Sequence, residues 1–239
     1  MSYKSLFIDL DHTLCDTEGA DKKAVIDFDK TLLNEWNIEL ENNIASQFIQ
    51  AIYNPPLSVD FAELRINDPA LHRSSLLYHI LIENNIIHIS KEDCTDLNGL
   101  FMDLRMKYFE FFDGVSELLM LLRKKYKLVL ITNGPSYSQR SKITKCEVKS
   151  FFDHILVGGE QAYSKPHASI FNSACELAGC NISEAIHIGD SLESDIAGAN
   201  QVGLDCIWVS AAIESIPSNY QAKWIVNSFI EIAPILNKD

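Results

Sequence analysis

The stretch K-S-L-F-I-D-L-D-H-T-L-C-D-T, Lys4 to Thr17, decides the fold. Leu6, Phe7 and Ile8 form a short apolar run of the kind buried on both faces of a parallel sheet. Polarity then changes abruptly. Asp9 and Asp11 stand two apart, so an extended backbone would point both carboxylates the same way. Two carboxylates crowded at the end of a buried strand repel, and such a pair needs a cation or a shared proton. Alone, a D-x-D would read as an acidic turn capping a helix. Segments further along the chain give it a different meaning.

Outward from this strand, Glu18 to Trp36 reads as a helix, with Val25, Phe28, Leu32 and Trp36 at three- and four-residue spacing. Asn42 to Tyr53 repeats the pattern, and Asn54-Pro55-Pro56 breaks it. A loop is expected around Arg65, Asn67, Asp68 and Pro69, then helices over Leu71 to Glu83 and Lys91 to Phe112. No buried strand is expected in this block. From Val115 the pattern alternates: helix to Lys125 with a basic last turn, strand Leu128 to Ile131, helix Ser138 to Cys146, strand His154 to Val157. Lys165-Pro166 is expected to open a further helix, with proline in its first turn. Strands come next at Ala185 to Ile188, Cys206 to Val209 and Trp224 to Val226, with a helix over Ile196 to Val202. Alternation of this kind predicts an α/β fold with a Rossmann-like parallel sheet. The expected organisation is a core of residues 1–16 and 111–239, with residues 17–110 inserted as an all-helical cap domain.

The 239 residues are 47% hydrophobic, enough for a sizeable core. No run is long enough to span a membrane, and the first residues lack the apolar stretch of a signal peptide. Six scattered cysteines with no metal-ligand spacing read as reduced thiols, and a cytoplasmic location is expected. A net charge of −13 argues against nucleic acid or an anionic membrane as partner. It leaves a phosphorylated small molecule open, because a metal ion and a lysine can reverse the field locally.

Ligands of such sheets bind at the carboxyl ends of the strands. Four polar clusters fall there: Asp9/Asp11/Thr13, Thr132/Asn133/Gly134, Lys165, and Asp190 with Asp195. Together they supply two carboxylates, a hydroxyl with backbone amides, a cation and a further carboxylate, which is the set a phosphoryl-transfer site built on aspartate and Mg²⁺ requires.

In order, D-L-D-H-T (Asp9 to Thr13), I-T-N-G (Ile131 to Gly134), S-K-P-H (Ser164 to His167) and G-D-S-L-E-S-D (Gly189 to Asp195) resemble the four motifs of the haloacid dehalogenase-like hydrolases. The resemblance implies that Asp9 is the nucleophile and becomes an aspartyl-phosphate. It implies that Asp11 protonates the leaving oxygen and then activates water, and a raised Asp11 pKa before substrate binds is expected. Thr132 with the amides of Asn133 and Gly134 holds the phosphoryl oxygens, and Lys165 neutralises charge and orients Asp9. Mg²⁺ is held by Asp9, the carbonyl of Asp11 and Asp190, with Asp195 acting on Lys165 or a metal-bound water. Retention of Asp11 resembles the phosphatases and mutases rather than the dehalogenases.

The stretches around Gln139-Arg140 and Gly158-Gly159-Glu160-Gln161 are similar to the branch of the family that acts on sugar-acid phosphates. That branch has an arginine-bearing loop before a cap helix. The similar place is Ile66 to Ser74, so Arg73, or else Arg65, is the expected ligand of the substrate. The alternatives are a pyrimidine-type nucleoside monophosphate as substrate, a phosphomutase, or a phosphate- or nucleotide-binding protein without turnover. His12, His72 and His167 read as spacer, structural or solvent-facing residues, and Arg140 as a surface cation.

Overall fold

The computed structural model describes residues 3–55, 68–212 and 216–236. Strand β1 (Ser5–Ile8) is buried at every position. It is followed by helices α1 (Thr17–Trp36), α2 (Ile44–Tyr53), α3 (Pro69–Glu83) and α4 (Lys91–Tyr108). Then come α5 (Val115–Leu122), β2 (Lys127–Thr132), α6 (Ser136–Lys145), β3 (His154–Val157), α7 (Ala168–Ala178), β4 (Ala185–Gly189), α8 (Ala197–Val202), β5 (Asp205–Val209) and β6 (Trp224–Val226). The six strands form one sheet in the order β3-β2-β1-β4-β5-β6, every pair parallel. This is a Rossmann-type α/β order. The chain reverses its direction of travel across the sheet between β1 and β4, and the crevice for a ligand opens there.

Ile8 lies level with Leu130 of β2 and Ile188 of β4, so the chain leaves all three strands at one edge of the sheet. Phe7, Val129, Ile131 and Trp208 pack with Phe171 and Ala174 of α7 and Ala199 of α8. Leu6, Ile8, Leu128, Leu130, Ile186 and Ile188 are fully buried as well, as strands covered on both faces require.

The chain divides into two compact units, one of them Glu18–Phe109 and the other formed by the chain on either side of it. At the junction, Phe112 N–H donates to Leu14 C=O at 2.9 Å, Asp16 N–H donates to Glu110 C=O at 3.2 Å, and Phe111 pairs with Cys15 as an antiparallel bridge. The return path is therefore extended. α4 ends at Tyr108, short of the expected Phe112, because residues 110–112 are committed to this pairing.

The described residues of the Glu18–Phe109 unit hold helices and no strand. Phe28, Phe48 and Phe101 form its centre, with ring centroids 4.9 to 6.5 Å apart. Among the described residues, no helix is long and apolar enough to cross a membrane.

Three further local expectations are corrected. Asp68 and Pro69 start a helix rather than a loop: the Asp68 carboxylate accepts Leu71 N–H at 2.9 Å, and Pro69 takes the first helical position. The basic residues expected in the last turn of α5 lie past its end, as Arg123, Lys124 and Lys125 come after Leu122. Pro166 does not sit in a first helical turn. Its peptide bond to Lys165 is cis, and α7 begins at Ala168, capped by the His167 ring accepting Ser169 N–H at 3.2 Å.

Candidate active site

Asp9 comes directly after β1, and its N–H still belongs to the sheet, donating to Ile188 C=O at 3.0 Å. It is buried, and its carboxylate accepts from Lys165 Nζ at 2.5 Å. The same Nζ donates to Asp195 at 2.6 Å. Lys165 reaches this position because Asn133 brackets its backbone: the Asn133 amide donates to Lys165 C=O at 2.8 Å and accepts Lys165 N–H at 3.0 Å. One side chain at the end of β2 thus replaces a strand partner for the lysine loop.

Asp195 is 1% exposed, and it sits in a π-type turn, Leu192–Ile196. Turns of that type concentrate at functional sites. Its second oxygen accepts Ser191 N–H at 3.0 Å, and its first also meets Nε2 of His187 at 2.8 Å. Gly189 is required beside it, since a Cβ there would land on the Asp195 carboxyl group. Asp190, next after Gly189, accepts the Thr13 hydroxyl at 3.2 Å. Ligand oxygens of Asp9, Asp190 and Asp195 all lie within 4.8 Å of one another.

Three carboxylates and one ammonium leave this cluster with surplus negative charge. Burial raises the Asp9 pKa well above the usual carboxylate range against the pull of Lys165, and Asp195 and Asp190 add to the rise. Burial, then Asp195, pushes Asp190 up to about 6. Asp195 goes the other way. Burial opposes its charge, but Lys165 and His187 outweigh it and hold its pKa down. Burial also disfavours charge on Lys165, and Asp195 and Asp9 reverse that, raising its pKa. Burial keeps His187 below its ordinary pKa, so the neutral ring donates from Nε2 to Asp195. Asp195 is therefore taken up by Lys165, His187 and Ser191, while Asp9 and Asp190 retain acceptor capacity. Oxygen donors of this kind suit a hard divalent cation.

The carboxylate of Asp11 is not part of that cluster, contrary to the expectation of two carboxylates aimed together. The chain turns after Leu10: His12 has φ 58°, and Leu14 and Cys15 both donate back to Leu10 C=O. Asp11 instead accepts from Lys142 Nζ at 2.6 Å, Thr17 Oγ1 at 2.6 Å and Gln139 Nε2 at 2.8 Å. The expectation of a raised Asp11 pKa is also overturned. Burial does press it upward, but the Lys142 charge and the three hydrogen bonds prevail, and it lies below the usual value.

Thr132 is the last residue of β2, buried, with its hydroxyl 2.5 Å from Gln139 Nε2. Gly134 has φ 108°, a conformation that favours glycine. Arg73 lies in α3 of the helical unit, 8% exposed, and its Nε donates to Asn98 at 3.0 Å. Arg65 lies outside the described residues. Arg140 is a partly exposed cation that donates to both oxygens of Glu160, at 2.8 and 2.5 Å, and Ser136 donates to the same carboxylate.

Gln139, Lys142 and His187 are site residues that the four motifs do not contain. The signals were there. Gln139, Lys142 and Ile143 are three- and four-spaced on α6, so two polar residues occupy its buried face. His187 interrupts the buried run A-I-H-I-G of β4.

Residues 6–209 match the family model described as haloacid dehalogenase-like hydrolase. The chain belongs to this family. It is a hydrolase of the phosphatase type, as its relatives are. It is 29% identical to human N-acylneuraminate-9-phosphatase over 98% of its own length and 93% of that protein. It is 28% identical to the pyrimidine 5'-nucleotidase YjjG of Escherichia coli K12 over 100% of both. Among solved structures, the HAD-hydrolase YfnB of Bacillus subtilis, described as bound to magnesium, superposes with a TM-score of 0.73. That match covers 99% of this chain and 100% of YfnB at 24% identity, and it bears on the fold.

Proposed function

We propose that this chain is a Mg²⁺-dependent phosphomonoesterase that works through an aspartyl-phosphate on Asp9. The observation that carries the reading is the buried Lys165 ammonium bridging Asp9 and Asp195, with Asp190 in the same cluster. Asp9 and Asp190, crowded and pushed toward protonation by burial, fit a divalent cation that would relieve their repulsion. Asp11 would add its carbonyl. When bound, Mg²⁺ would supply positive charge for the phosphoryl oxygens.

The chain's own groups do the rest. Lys165 orients the Asp9 carboxylate and offsets the repulsion between it and a phosphate dianion. Thr132 and the amides of Asn133 and Gly134 hold the phosphoryl oxygens. An Asp9 oxygen bonds to phosphorus while the ester oxygen leaves and takes a proton from Asp11. Water then attacks the phosphorus of the aspartyl-phosphate, Asp11 takes the proton, and inorganic phosphate and free Asp9 result. As held by three donors, Asp11 is suited to this second, proton-accepting role. In the first half-reaction the negative charge of the bound phosphoryl group favours its protonated form.

For substrate we infer a small sugar-acid phosphate such as an N-acylneuraminate 9-phosphate. The relative of that activity, matched over nearly the full length of both chains, supports this. A pyrimidine nucleoside monophosphate is the second reading, favoured by the equally extended match to the nucleotidase. The helical unit enters the chain directly after the strand bearing Asp9, which supports a role for it as the cap that reads the leaving group. Steady-state kinetics on both ester classes separates the two. A kcat/KM at least tenfold higher for the neuraminate ester supports the first reading, and the reverse order replaces it with the second.

A further inference from the structure

We infer that Gln139 and Lys142 of α6 are positioning residues, which fix the carboxyl group of Asp11 and hold it in register with Thr132. The inference rests on the proposed phosphatase reading. Lys142 and Gln139 are 6% and 2% exposed, so neither is a surface side chain that happens to reach inward. They stand one helical turn apart and approach different oxygens of one carboxylate: Lys142 Nζ is 2.6 Å from Oδ1, and Gln139 Nε2 is 2.8 Å from Oδ2. Thr17 adds a second donor to Oδ1 at 2.6 Å. A carboxyl group anchored at both oxygens cannot rotate without breaking a bond. For Asp11 this fixes the direction from which a proton is given or taken.

Gln139 does a second thing. Its Nε2 also lies 2.5 Å from Thr132 Oγ1. One amide therefore ties the group that handles the proton to the group proposed to hold the phosphoryl oxygens. Such a link sets the distance between the leaving oxygen and its proton donor. The Gln139 side chain is itself packed against Gly134, where a Cβ would come within 3.4 Å of its Cδ, Cγ and Oε1.

The fold alone gives little reason for this arrangement. An ion pair with both charges largely out of water contributes little net stability beside an apolar pair of similar volume. Its placement on Asp11 is accounted for by the orientation it imposes.

Leaving-group dependence tests this. kcat/KM reports only steps through the first irreversible one, here phosphoryl transfer to Asp9. An alkyl ester needs the Asp11 proton in that step, whereas p-nitrophenolate leaves without one. Misplacing a reacting group by about 1 Å costs on the order of 10²-fold, so Lys142→Met and Gln139→Leu are expected to lose about that much kcat/KM on an alkyl phosphate. The loss on p-nitrophenyl phosphate is expected to be at least tenfold smaller. In an Asp11→Asn background, Lys142→Met is expected to change the alkyl rate less than about twofold, because effects exerted through one group do not add, and Gln139→Leu is expected to keep only the part exerted through Thr132. Lys142→Arg, which keeps the charge, is expected to restore part of the loss.

Equal losses on both esters, or full losses repeated in the Asp11→Asn background, would overturn the inference and leave a packing role. If Lys142→Met does not fold, Gln139→Leu and the Asp11→Asn/Lys142→Met pair, which leaves no buried charge unpaired, carry the same comparison. A folded wild-type chain that releases phosphate from no ester would overturn the phosphatase reading itself, and the inference with it.

Discussion

Single residues at the carboxyl edge of the sheet differ in how fully their oxygens are taken up. Asp195 is saturated by Lys165, His187 and Ser191, whereas Asp9 shares the Lys165 ammonium with Asp195 and Asp190 accepts the Thr13 hydroxyl in the same cluster. Asp190→Asn is therefore expected to weaken Mg²⁺ binding at least tenfold in calorimetry while leaving the fold intact; unchanged affinity would remove Asp190 from the metal site. Gly189 shows how tightly Asp195 is fitted. In Gly189→Ala the new methyl would displace the carboxyl group, so lower thermal stability and loss of phosphatase activity are expected together. A variant that is fully active with an unchanged Tm would count against the fit.

Glu160 gives a titration with a definite sign. The hydrogen bond from Arg140, against a small burial effect, lowers its pKa from 4.5 to about 2. A depressed carboxylate pKa contributes stability that is fully present above the unfolded value and is lost as pH falls through the folded one. The pair is partly exposed, 39% and 29%, and so is worth roughly 0.2–1 kcal/mol. Arg140→Gln is expected to remove that increment above pH 4.5 and to converge with wild type near pH 2 in urea titrations. A constant difference across the range would contradict the assignment.

At the scale of elements, two devices place the chemistry. The Asn133 amide fastens the lysine loop to the end of β2, and the paired segments at Cys15 and Phe111 fasten the chain where it leaves and re-enters the core unit. α4 starts with a capping box in which Ser90 accepts Asp93 N–H at 3.1 Å and Asp93 accepts Ser90 N–H at 2.8 Å. Ser90→Ala is expected to cost about 1 kcal/mol in denaturant unfolding; no change would mean that tertiary packing alone sets the helix start.

Much at this scale was legible in the sequence. The strands His154–Val157 and Trp224–Val226 agree residue for residue with the hydrophobic pattern. A proline ahead of a helical pattern, such as Pro166, resembles a first-turn proline, and local pattern carries no information on its cis bond. Asp11 departs from its local pattern for a similar reason. An extended-strand rule places Asp11 beside Asp9, but the turn after Leu10 gives it to α6, which arrives 128 residues later through Gln139. Local spacing identified which residues carry charge. It could not identify which long-range neighbours they meet.

For the whole molecule, the two units depend on different interactions. The core unit has an all-parallel sheet whose central strands β1 and β4 are buried on both faces. The helical unit combines its three-phenylalanine centre with a buried ion pair, in which Arg105 donates to Asp21 at 2.6 and 3.1 Å and Tyr53 donates to the same carboxylate at 2.6 Å. Removing one partner strands a buried charge, so Arg105→Met is expected to destabilise the chain by about 3–5 kcal/mol. A loss below 1 kcal/mol in urea unfolding would show that Asp21 finds other compensation. The surplus of 33 acidic over 20 basic residues is consistent with a negative surface around a site in which the buried Lys165 supplies positive charge.

The central claim is that Asp9 carries out metal-dependent phosphoryl transfer, and the most direct test is release of inorganic phosphate from a small phosphomonoester by wild type and Asp9→Asn, with Mg²⁺ and with excess chelator. Release by wild type that requires Mg²⁺, and that falls to the uncatalysed background in Asp9→Asn, is the expected result. Release that persists in Asp9→Asn or in chelator, or none from a folded wild-type chain, would contradict it.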